Sequence, residues 1–365
     1  MPLPTPRRFR RLRLALSLLA LPLLPFLASA QDRKVEAHDP VIAKDGDTYY
    51  LFHTGKGIRV KSSQDLVSWK DEPAVFAQTP AWVRGILPKF DGHIWAPEIF
   101  HHNGVYYLYY SVSSFGRNNS AIGVATNTTL DPKDPAYAWQ DHGAIVRSVP
   151  GRDLWNAIDP SVIIDEQGTP WMSFGSFWNG IKLVKLSPDL TSVVSGPGEE
   201  WRTLASRPRD FEVDERDAGD AANPELDYAS LYTPQQLQRN KSMQNSSIEA
   251  PFIFRKDGYY YLFVSWDRCC QGVNSSYKIL VGRSKDIRGP YLDKEGKRLV
   301  HGGGTLVAKG DGQDWAALGH CAVYTFEGKD RLVFHAYDLK DNGKSKLRVQ
   351  ELLWEDGWPL PLPSE

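Results

Sequence analysis

Apolar and aromatic residues occur along the chain in short runs rich in Tyr, Val, Ile, Phe and Trp. Gly, Asp and Asn interrupt these runs about every 8–12 residues, which is the spacing of strands and turns. No long helical periodicity follows position 30. The pattern therefore predicts an all-β fold.

One unit of this pattern recurs along the chain. Each copy has an apolar strand, a turn that contains Gly and an aromatic strand, and most copies add a third strand. The copies start 57, 63, 91 and 70 residues apart, at Asp39, Ala96, Asp159, Ala250 and His320. Repeated small sheets of this length predict a five-bladed β-propeller. The alternative is a β-sandwich whose hairpins resemble one another by chance.

The interval of 91 residues is longer than the others because of the segment at about 201–247. This segment is acidic at first and rich in Gln, Asn and Ser afterwards. We predict an insertion between blades three and four, with a short helix near Thr233–Arg239. It forms either a solvated excursion or a rim over a site. The remaining residues from 31 to 365 are assigned to the propeller.

Residues 1–30 have the composition of a secretory signal. Five arginines and no acid precede a leucine-rich run, which ends in Ala28-Ser29-Ala30. This order predicts cleavage after Ala30 and a secreted or periplasmic protein with no membrane attachment after cleavage. The alternative is a membrane anchor.

The overall composition suits one large β domain or two ordinary ones with a sizeable core, since 41% of the residues are hydrophobic, and we expect a monomer. The formal net charge is −1, and it becomes −6 without the first thirty residues. An acidic body argues against nucleic-acid binding. Three cysteines, Cys269, Cys270 and Cys321, provide no disulfide framework. Cys269 and Cys270 form either a vicinal disulfide or two buried thiols.

Three acids occupy equivalent places at the starts of the repeats. Asp39 and Asp159 each precede a proline, and Glu249 precedes Ala250 and a proline. Because a residue before proline favours an extended backbone, we expect the acids to be fixed at the strand entrances. In a propeller these entrances meet on one face. Carboxylates crowded there divide into one that keeps a proton and one that stays ionised, as glycoside hydrolysis requires.

Three other acidic residues are left out of this set. Glu98 follows its proline instead of preceding it, and Asp45 and Asp47 belong to a turn that every blade repeats in kind. The chain also has twelve tryptophans, of which several lie at strand ends near the acids: Trp95, Trp155, Trp178 and Trp266. Flat aromatic rings match the C–H faces of sugars, which favours a carbohydrate site.

Several ordered motifs resemble the arabinanases of glycoside hydrolase family 43: HDP at 38–40, WAPE at 95–98, NAIDP at 156–160, GSFW at 175–178 and IEAPFI at 248–253. The resemblance spans about 35–357. It implies a five-bladed propeller that hydrolyses α-1,5-linked L-arabinan with inversion, and we expect an endo mode of cleavage. It also implies that Asp39 is the general base, Glu249 the general acid, and Asp159 the residue that raises the pKa of the acid and orients it. Inversion predicts that the carboxyl groups of Asp39 and Glu249 are roughly 6.5–9.5 Å apart.

The resemblance and the aromatic pattern together predict the substrate contacts: His38, Trp95, Phe115, Gly116, Asn156, Ala157, Ile158, Ser176, Phe177 and Trp178. His320 resembles a histidine that holds a metal ion, often calcium, through water, and no organic cofactor is implied. The sequence departs from the family here, because Cys321 follows that histidine where Asn is common. The rival functions are exo-acting arabinanase, α-L-arabinofuranosidase or β-xylosidase on the same fold, and a non-catalytic carbohydrate-binding propeller.

Overall fold

The structure is a computed structural model, and it describes residues 1, 35–153, 155–194, 201–207 and 247–362. The predicted signal segment, the predicted short helix near Thr233–Arg239 and most of the predicted insertion lie outside the described residues.

Strands make up most of the described chain. In chain order they are β1 Val41–Asp45, β2 Thr48–His53, β3 Gly55–Lys56, β4 Arg59–Ser63, β5 Lys70–Glu72, β6 His93–His102, β7 Val105–Val112, β8 Ser120–Asn127, β9 Gln140–Ser148, β10 Ser161–Ile164, β11 Pro170–Phe174, β12 Ile181–Lys185, β13 Arg202–Ala205, β14 Ile248–Lys256, β15 Tyr259–Trp266, β16 Lys278–Ser284, β17 Thr305–Lys309, β18 Trp315–Phe326, β19 Lys329–Asp338, β20 Lys344–Glu351, β21 Trp354–Glu355 and β22 Trp358–Pro359.

Helices are short by comparison. The α-helix of the described part is α1, Val83–Ile86, and 3-10 turns cover Gly272–Asn274, Leu299–His301 and Leu339–Asp341. Among the described residues, no helix has the length and apolar content that crossing a membrane would require.

The described strands form six antiparallel sheets: five are the blades of a five-bladed β-propeller, and β21 and β22 pair as a separate two-stranded sheet. Blade one has the order β1-β2-β4-β5, blade two β6-β7-β8-β9 with β3 added beside β6, blade three β10-β11-β12-β13, and blade four β14-β15-β16-β17. Blade five has the order β18-β19-β20. Each predicted repeat therefore supplies the first strands of one blade, and the predicted fold class is confirmed.

The N-terminal end of the described chain completes blade five. Glu36 forms an antiparallel bridge with Lys346 on β20. The backbone N–H of Leu347 donates to the carbonyl of Val35 over 2.8 Å, and that of Ala37 donates to Ser345 over 3.3 Å. The segment before the first repeat thus pairs with the last repeat, which closes the ring.

Neighbouring blades pack face to face, so the inner strands are buried on both sides. In β2, Leu51 and Phe52 are adjacent, and both are almost fully buried. Leu51 packs in a cluster with Val333 of blade five, and Phe52 packs in the cluster that contains Leu108 of blade two. A strand covered on both faces has a continuous apolar run and not an alternating one. This explains why the aromatic strands of the repeats are so uniformly apolar.

Candidate active site

The five repeat starts share one unusual backbone conformation. Each lies in the left-handed region with φ between 42° and 59°: Asp39, Ala96, Asp159, Ala250 and His320. The prediction that proline holds Asp39 and Asp159 in an extended conformation was therefore wrong. A left-handed backbone costs a residue other than glycine about 1–2 kcal/mol. Contacts from elsewhere in the fold must offset this cost.

A hydrogen bond from each repeat start to the preceding blade provides such a contact. In four of the five cases the acceptor is a side chain at the end of the second strand of that blade. The pairs are Asp39 N–H to His335 Nδ1 (3.1 Å), Ala96 N–H to Thr54 Oγ1 (2.8 Å), Asp159 N–H to Ser111 Oγ (3.0 Å) and His320 N–H to Ser265 Oγ (2.8 Å). The conformation of the repeat starts is thus set by tertiary contacts and not by the proline that follows.

Blade three differs from the other blades at this position. Its equivalent residue is Gly175, whose N–H donates to the carbonyl of Ile158 as the N–H of Thr54 donates to that of His38. Gly175 has no side chain to accept a hydrogen bond. The N–H of Ala250 donates instead to Oδ2 of Asp159, over 3.2 Å. Because Gly175 has no side chain, the carboxylate of Asp159 accepts the N–H of Ala250, the residue next to Glu249.

Three of the repeat starts, Asp39, Asp159 and His320, line a cavity of about 580 Å³, a volume within the usual range for small-molecule sites. Asp39, Asp159 and Glu249 all line it. So do nine of the ten predicted substrate contacts: His38, Trp95, Phe115, Gly116, Asn156, Ile158, Ser176, Phe177 and Trp178. Ala157 does not, because it is fully buried in the core between blades two and three.

Asp39 lies among donors to both of its oxygens. Its Oδ2 is 2.9 Å from Nδ1 of His38 and accepts from the hydroxyl of Thr54, and its Oδ1 is 2.9 Å from Nδ1 of His320. Burial alone would raise the pKa of this carboxyl, but the rings of His38 and His320 outweigh burial and hold the pKa well below its usual range. Asp39 is therefore a carboxylate at neutral pH.

Asp159 and Glu249 have the opposite electrostatics. Burial is the main cause that raises the pKa of Asp159 well above its ordinary value, and the nearby carboxylates of Glu249 and Asp39 raise it further. Burial also raises the pKa of Glu249, against hydrogen bonds from the hydroxyls of Ser176 (2.6 Å to Oε2) and Tyr277. Two such carboxyls titrate as a pair, which favours a proton on the pair at neutral pH.

His320 completes the charge balance. Burial lowers the pKa of this ring, but the carboxylates of Asp39, Asp159 and Glu249 outweigh burial and raise the pKa to about 9. The cavity thus contains one ionised acid, one imidazolium and a pair of acids that favours a proton.

Three possible metal ligands lie close together elsewhere in the site. His38, Asp39 and His335 each offer one ligand atom, and these atoms lie within 4.8 Å of one another. The nitrogens of both histidines already take part in hydrogen bonds with Asp39 or Tyr337. No such group that includes His320 is found in the described part of the chain. The Nδ1 of His320 faces Asp39, which leaves its Nε2 as the ring atom for an ion held through water. The contact of His320 with an ion stays a prediction, and no catalytic step is assigned to an ion.

The loop at 175–180 brings two aromatic rings and one hydroxyl into the cavity. Phe177 and Trp178 have φ values of 56° and 42°, and a Cβ on Gly180 would lie 2.1 Å from the carbonyl oxygen of Ala205. The N–H of Phe177 donates to the carbonyl of Ile248 over 2.8 Å. The loop is thus anchored on the strand that carries Glu249, which places the hydroxyl of Ser176 against that acid.

The tryptophans near the acids divide into two groups. Trp95 and Trp178 line the cavity. Trp155 is 1% exposed and packs on Trp201 in the core, and Trp266 lies under the guanidinium of Arg207. At the cavity edge the ring of Phe115 is 78% exposed, which suits stacking on a ligand.

Other residues of the site were not identified from the sequence. Thr54 binds Asp39, Tyr277 binds Glu249, and the loop after β15 contributes Arg268 and Gln271 to the cavity wall. A signal for Thr54 was available, because polar residues end the second strand of four repeats. Cys269 and Cys270 form a disulfide in this wall, and Cys321 is a buried free thiol.

Comparison with known proteins identifies close relatives over nearly the whole chain. A profile described as glycosyl hydrolases family 43 matches residues 34–359. An extracellular exo-α-(1→5)-L-arabinofuranosidase of Cellvibrio japonicus (strain Ueda107) is 47% identical over 341 residues, which cover 93% of this chain and 90% of that protein. An extracellular endo-α-(1→5)-L-arabinanase 1 of Bacillus subtilis (strain 168) is 39% identical over 326 residues, which cover 88% and 86%.

A solved structure agrees with these relatives. The structure of Cellvibrio cellulosa α-L-arabinanase complexed with arabinohexaose superposes with a TM-score of 0.78 at 47% identity, covering 89% of this chain and 95% of that one.

Proposed function

Because the chain belongs to glycosyl hydrolase family 43, we propose that it hydrolyses the α-1,5-L-arabinofuranosidic linkages of arabinan with inversion of configuration. The observation that carries this proposal is the charge distribution of the cavity. A carboxylate with a lowered pKa, Asp39, faces the same space as Asp159 and Glu249, whose pKa values are raised. An acid and a base with separated pKa values are what a glycosidase needs.

In this mechanism Asp39 is the general base. Its lowered pKa keeps it ionised, so it accepts the proton of the attacking water. Glu249 is the general acid and gives its proton to the leaving glycosidic oxygen. As the family resemblance implies, Asp159 favours the proton of the pair on Glu249 when that acid acts, and it orients Glu249 through the N–H of Ala250. The reaction is balanced, because one water supplies the hydroxyl of one product and the proton of the other.

A polymeric substrate suits the shape of the site. A second cavity of about 530 Å³ adjoins the first, and both are lined by His93, Trp95 and Ser114. The two adjoining cavities and the exposed ring of Phe115 provide room and a stacking surface for a chain of several sugars. We infer that Trp95, Phe115, Phe177 and Trp178 contact sugar faces. The relatives named above act, by their names, on (1→5)-linked arabinan or arabinofuranosides.

We assign an endo mode of cleavage. The rival is exo cleavage, and the 47% identity to a relative named as exo-acting favours it, against 39% to the one named as endo-acting. Linear arabinan separates the two modes. An endo enzyme lowers the viscosity steeply before many reducing ends appear, whereas an exo enzyme releases one short product while the viscosity hardly changes. The second outcome would replace endo with exo and keep the chemistry.

The catalytic assignment is tested with isosteric variants. Asp39→Asn and Glu249→Gln should each lower kcat on arabinan by about 10²–10⁴-fold, while Asp47→Asn, in an exposed turn, serves as the matched control. Proton NMR of the first product should show the anomer opposite to that of the substrate. Full activity of both variants would exclude the mechanism, and retained configuration would exclude inversion.

We also propose that the chain is exported and that residues 31–365 form the mature enzyme. The relatives are named as extracellular, and the first thirty residues have the order of a secretory signal. N-terminal sequencing of the protein recovered outside the cytoplasm should begin at Gln31. A start at Met1 would contradict the assignment.

A further inference from the structure

A chain of hydrogen bonds runs from the cavity wall of blade four to Asp39. The backbone N–H of Cys270 donates to the hydroxyl of Tyr337 over 2.8 Å. That hydroxyl lies 3.0 Å from Nε2 of His38 and 3.2 Å from Nε2 of His335. Nδ1 of His38 lies 2.9 Å from Oδ2 of Asp39. Tyr337 and His335 are buried and do not line the cavity, so this chain acts on the site from behind.

Two backbone donors determine where each proton in the chain lies. The N–H of Asp39 donates to Nδ1 of His335, so this neutral ring carries its proton on Nε2 and donates it to Tyr337. Tyr337 therefore accepts from His335 and from the N–H of Cys270. Its own proton is left for Nε2 of His38, so Nε2 is the acceptor of that ring and Nδ1, which faces Asp39, carries a proton.

The disulfide between Cys269 and Cys270 holds the first donor of this chain in place. Cys270 has a left-handed backbone with φ of 68°, in an exposed loop that lines the cavity. Cys269 packs against the cluster of Tyr277, Ala317 and Tyr337. Sγ of Cys270 also lies 3.8 Å from Nε2 of His38. The disulfide thus links Cys270, in the exposed turn, to Cys269, which packs against the cluster that contains Tyr337. The hydroxyl of Tyr337 accepts the N–H of Cys270.

We propose that the Cys269–Cys270 disulfide, Tyr337 and His335 position the base Asp39 by fixing the tautomer and orientation of His38, and that reduction of the disulfide releases this positioning. The inference rests on the proposed role of Asp39. None of the three is a catalytic residue: the disulfide and Tyr337 act through His38, and His335 also accepts the backbone N–H of Asp39.

Reduction by a small dithiol is a balanced reaction. One thiolate attacks a sulfur of the disulfide, the sulfur–sulfur bond breaks, and the second thiolate closes the reductant into a ring. Two electrons pass from the dithiol to the protein, and the protein gains two thiols in place of one disulfide. The exposure of Cys270 makes the bond accessible to this attack.

The kinetic test compares the mature protein before and after treatment with dithiothreitol. Reduction should lower kcat on arabinan by about tenfold, with KM changed less than threefold, because a displaced base costs rate more than binding. Reoxidation should restore kcat. The double variant Cys269→Ser/Cys270→Ser should start low and not respond to the reductant. The matched control Cys321→Ala, which lacks the free thiol, should respond as the wild type does.

A second variant tests the relay without touching the disulfide. Tyr337→Phe keeps the ring and removes the hydroxyl, and it should lower kcat by about 10–100-fold with little effect on KM. Long-range ¹⁵N–¹H correlation on histidine-labelled protein reports the tautomer directly. His38, assigned with His38→Gln, should be protonated on Nδ1 and not on Nε2 in the oxidised protein, and should become a mixture in Tyr337→Phe. Because this measurement uses only the wild type and Tyr337→Phe, it still tests the relay if the double variant Cys269→Ser/Cys270→Ser does not fold.

The outcomes separate this inference from the proposed function. An active Asp39→Asn would overturn the role of Asp39, whatever the tautomer of His38. An inactive Asp39→Asn, combined with full kcat in Tyr337→Phe and in the reduced enzyme, would overturn only the positioning relay. A proton on Nε2 of His38 in the oxidised protein would overturn the relay as well.

Discussion

The N–H of Ala250 donates to Oδ2 of Asp159 across the junction of blades three and four, over 3.2 Å. In the other blades a serine, threonine or histidine side chain accepts the equivalent N–H, and in blade three Gly175 leaves this place without a side chain. The carboxylate of Asp159 therefore does two things at once. It satisfies a structural donor, and it forms with Glu249 a pair of carboxyls that titrate together.

Substitution of Asp159 should separate these two roles. Asp159→Asn keeps an oxygen for the N–H of Ala250 and removes the charge. Without a carboxyl that titrates together with it, the pKa of Glu249 falls, so the alkaline limb of the kcat/KM profile should move to lower pH and kcat at neutral pH should drop by about tenfold or more. The measurement is the pH dependence of arabinan hydrolysis.

The structural role appears in a second variant. Asp159→Ala also leaves the buried N–H of Ala250 without its acceptor, so it should be less stable than Asp159→Asn by about 1–3 kcal/mol. Urea unfolding of both variants measures the difference. Equal stability would mean that water replaces the carboxylate and that the hydrogen bond has no structural role.

Ser176 provides a pH test with the opposite sign. Its hydroxyl donates to Oε2 of Glu249 over 2.6 Å and lowers the pKa of that acid, against the effect of burial. Ser176→Ala removes this donor, so the acid should keep its proton to higher pH. The alkaline limb of kcat/KM should therefore move upward. Ser173→Ala, a buried change in the same blade, is the control, and a limb that moves equally in both variants would contradict the assignment.

Much of the fold and the site could be predicted because the repeats have a regular register. Once Asp39, Asp159 and Glu249 occupy equivalent places in a propeller, the topology alone brings them to one cavity. The pairing of the N-terminal segment with blade five was not predicted, because the short segment that bridges to β20 has no pattern of its own. This segment pairs with blade five because the propeller closes there.

Local rules failed where a distant contact decides the conformation. Proline disfavours helical backbone before it, but Asp39 is left-handed because His335, 296 positions away, accepts its N–H. The tryptophans show the same limit. Trp155 and Trp178 both stand beside asparagines at strand ends, yet one is in the core and the other in the cavity. The position of a tryptophan in the sequence does not indicate whether its ring lies in the core or in the cavity.

Gly175 should not tolerate a side chain. Its φ is 131°, and a Cβ there would lie 2.7 Å from the carbonyl oxygen of Gly180. Gly175→Ala should therefore destabilise the protein by about 1–3 kcal/mol and, by shifting Ser176 away from the acid, lower kcat. Gly85→Ala is the matched control, since its Cβ would meet nothing within 4 Å. Equal melting temperatures for the two variants would show that the loop adapts without strain.

Glu98 makes the stability of the fold depend on pH. It is buried on β6, its Oε1 accepts the N–H of Val162 over 3.3 Å, and burial raises its pKa to about 8. Because this is above the ordinary value of 4.5, the native state binds the proton more tightly than the unfolded state does. The contribution of Glu98 is thus fully present below about pH 4.5 and is lost as the pH rises to about 8.

Glu98→Gln keeps an oxygen for Val162 and cannot ionise, so it should lose this dependence. Relative to the wild type, its free energy of unfolding should rise between pH 5 and pH 8 by on the order of a few kcal/mol. Urea unfolding at both pH values measures this change. The exposed Glu355→Gln should show no such gain. A difference between Glu98→Gln and the wild type that stays constant with pH would mean that Glu98 ionises in the folded protein as readily as in the unfolded chain.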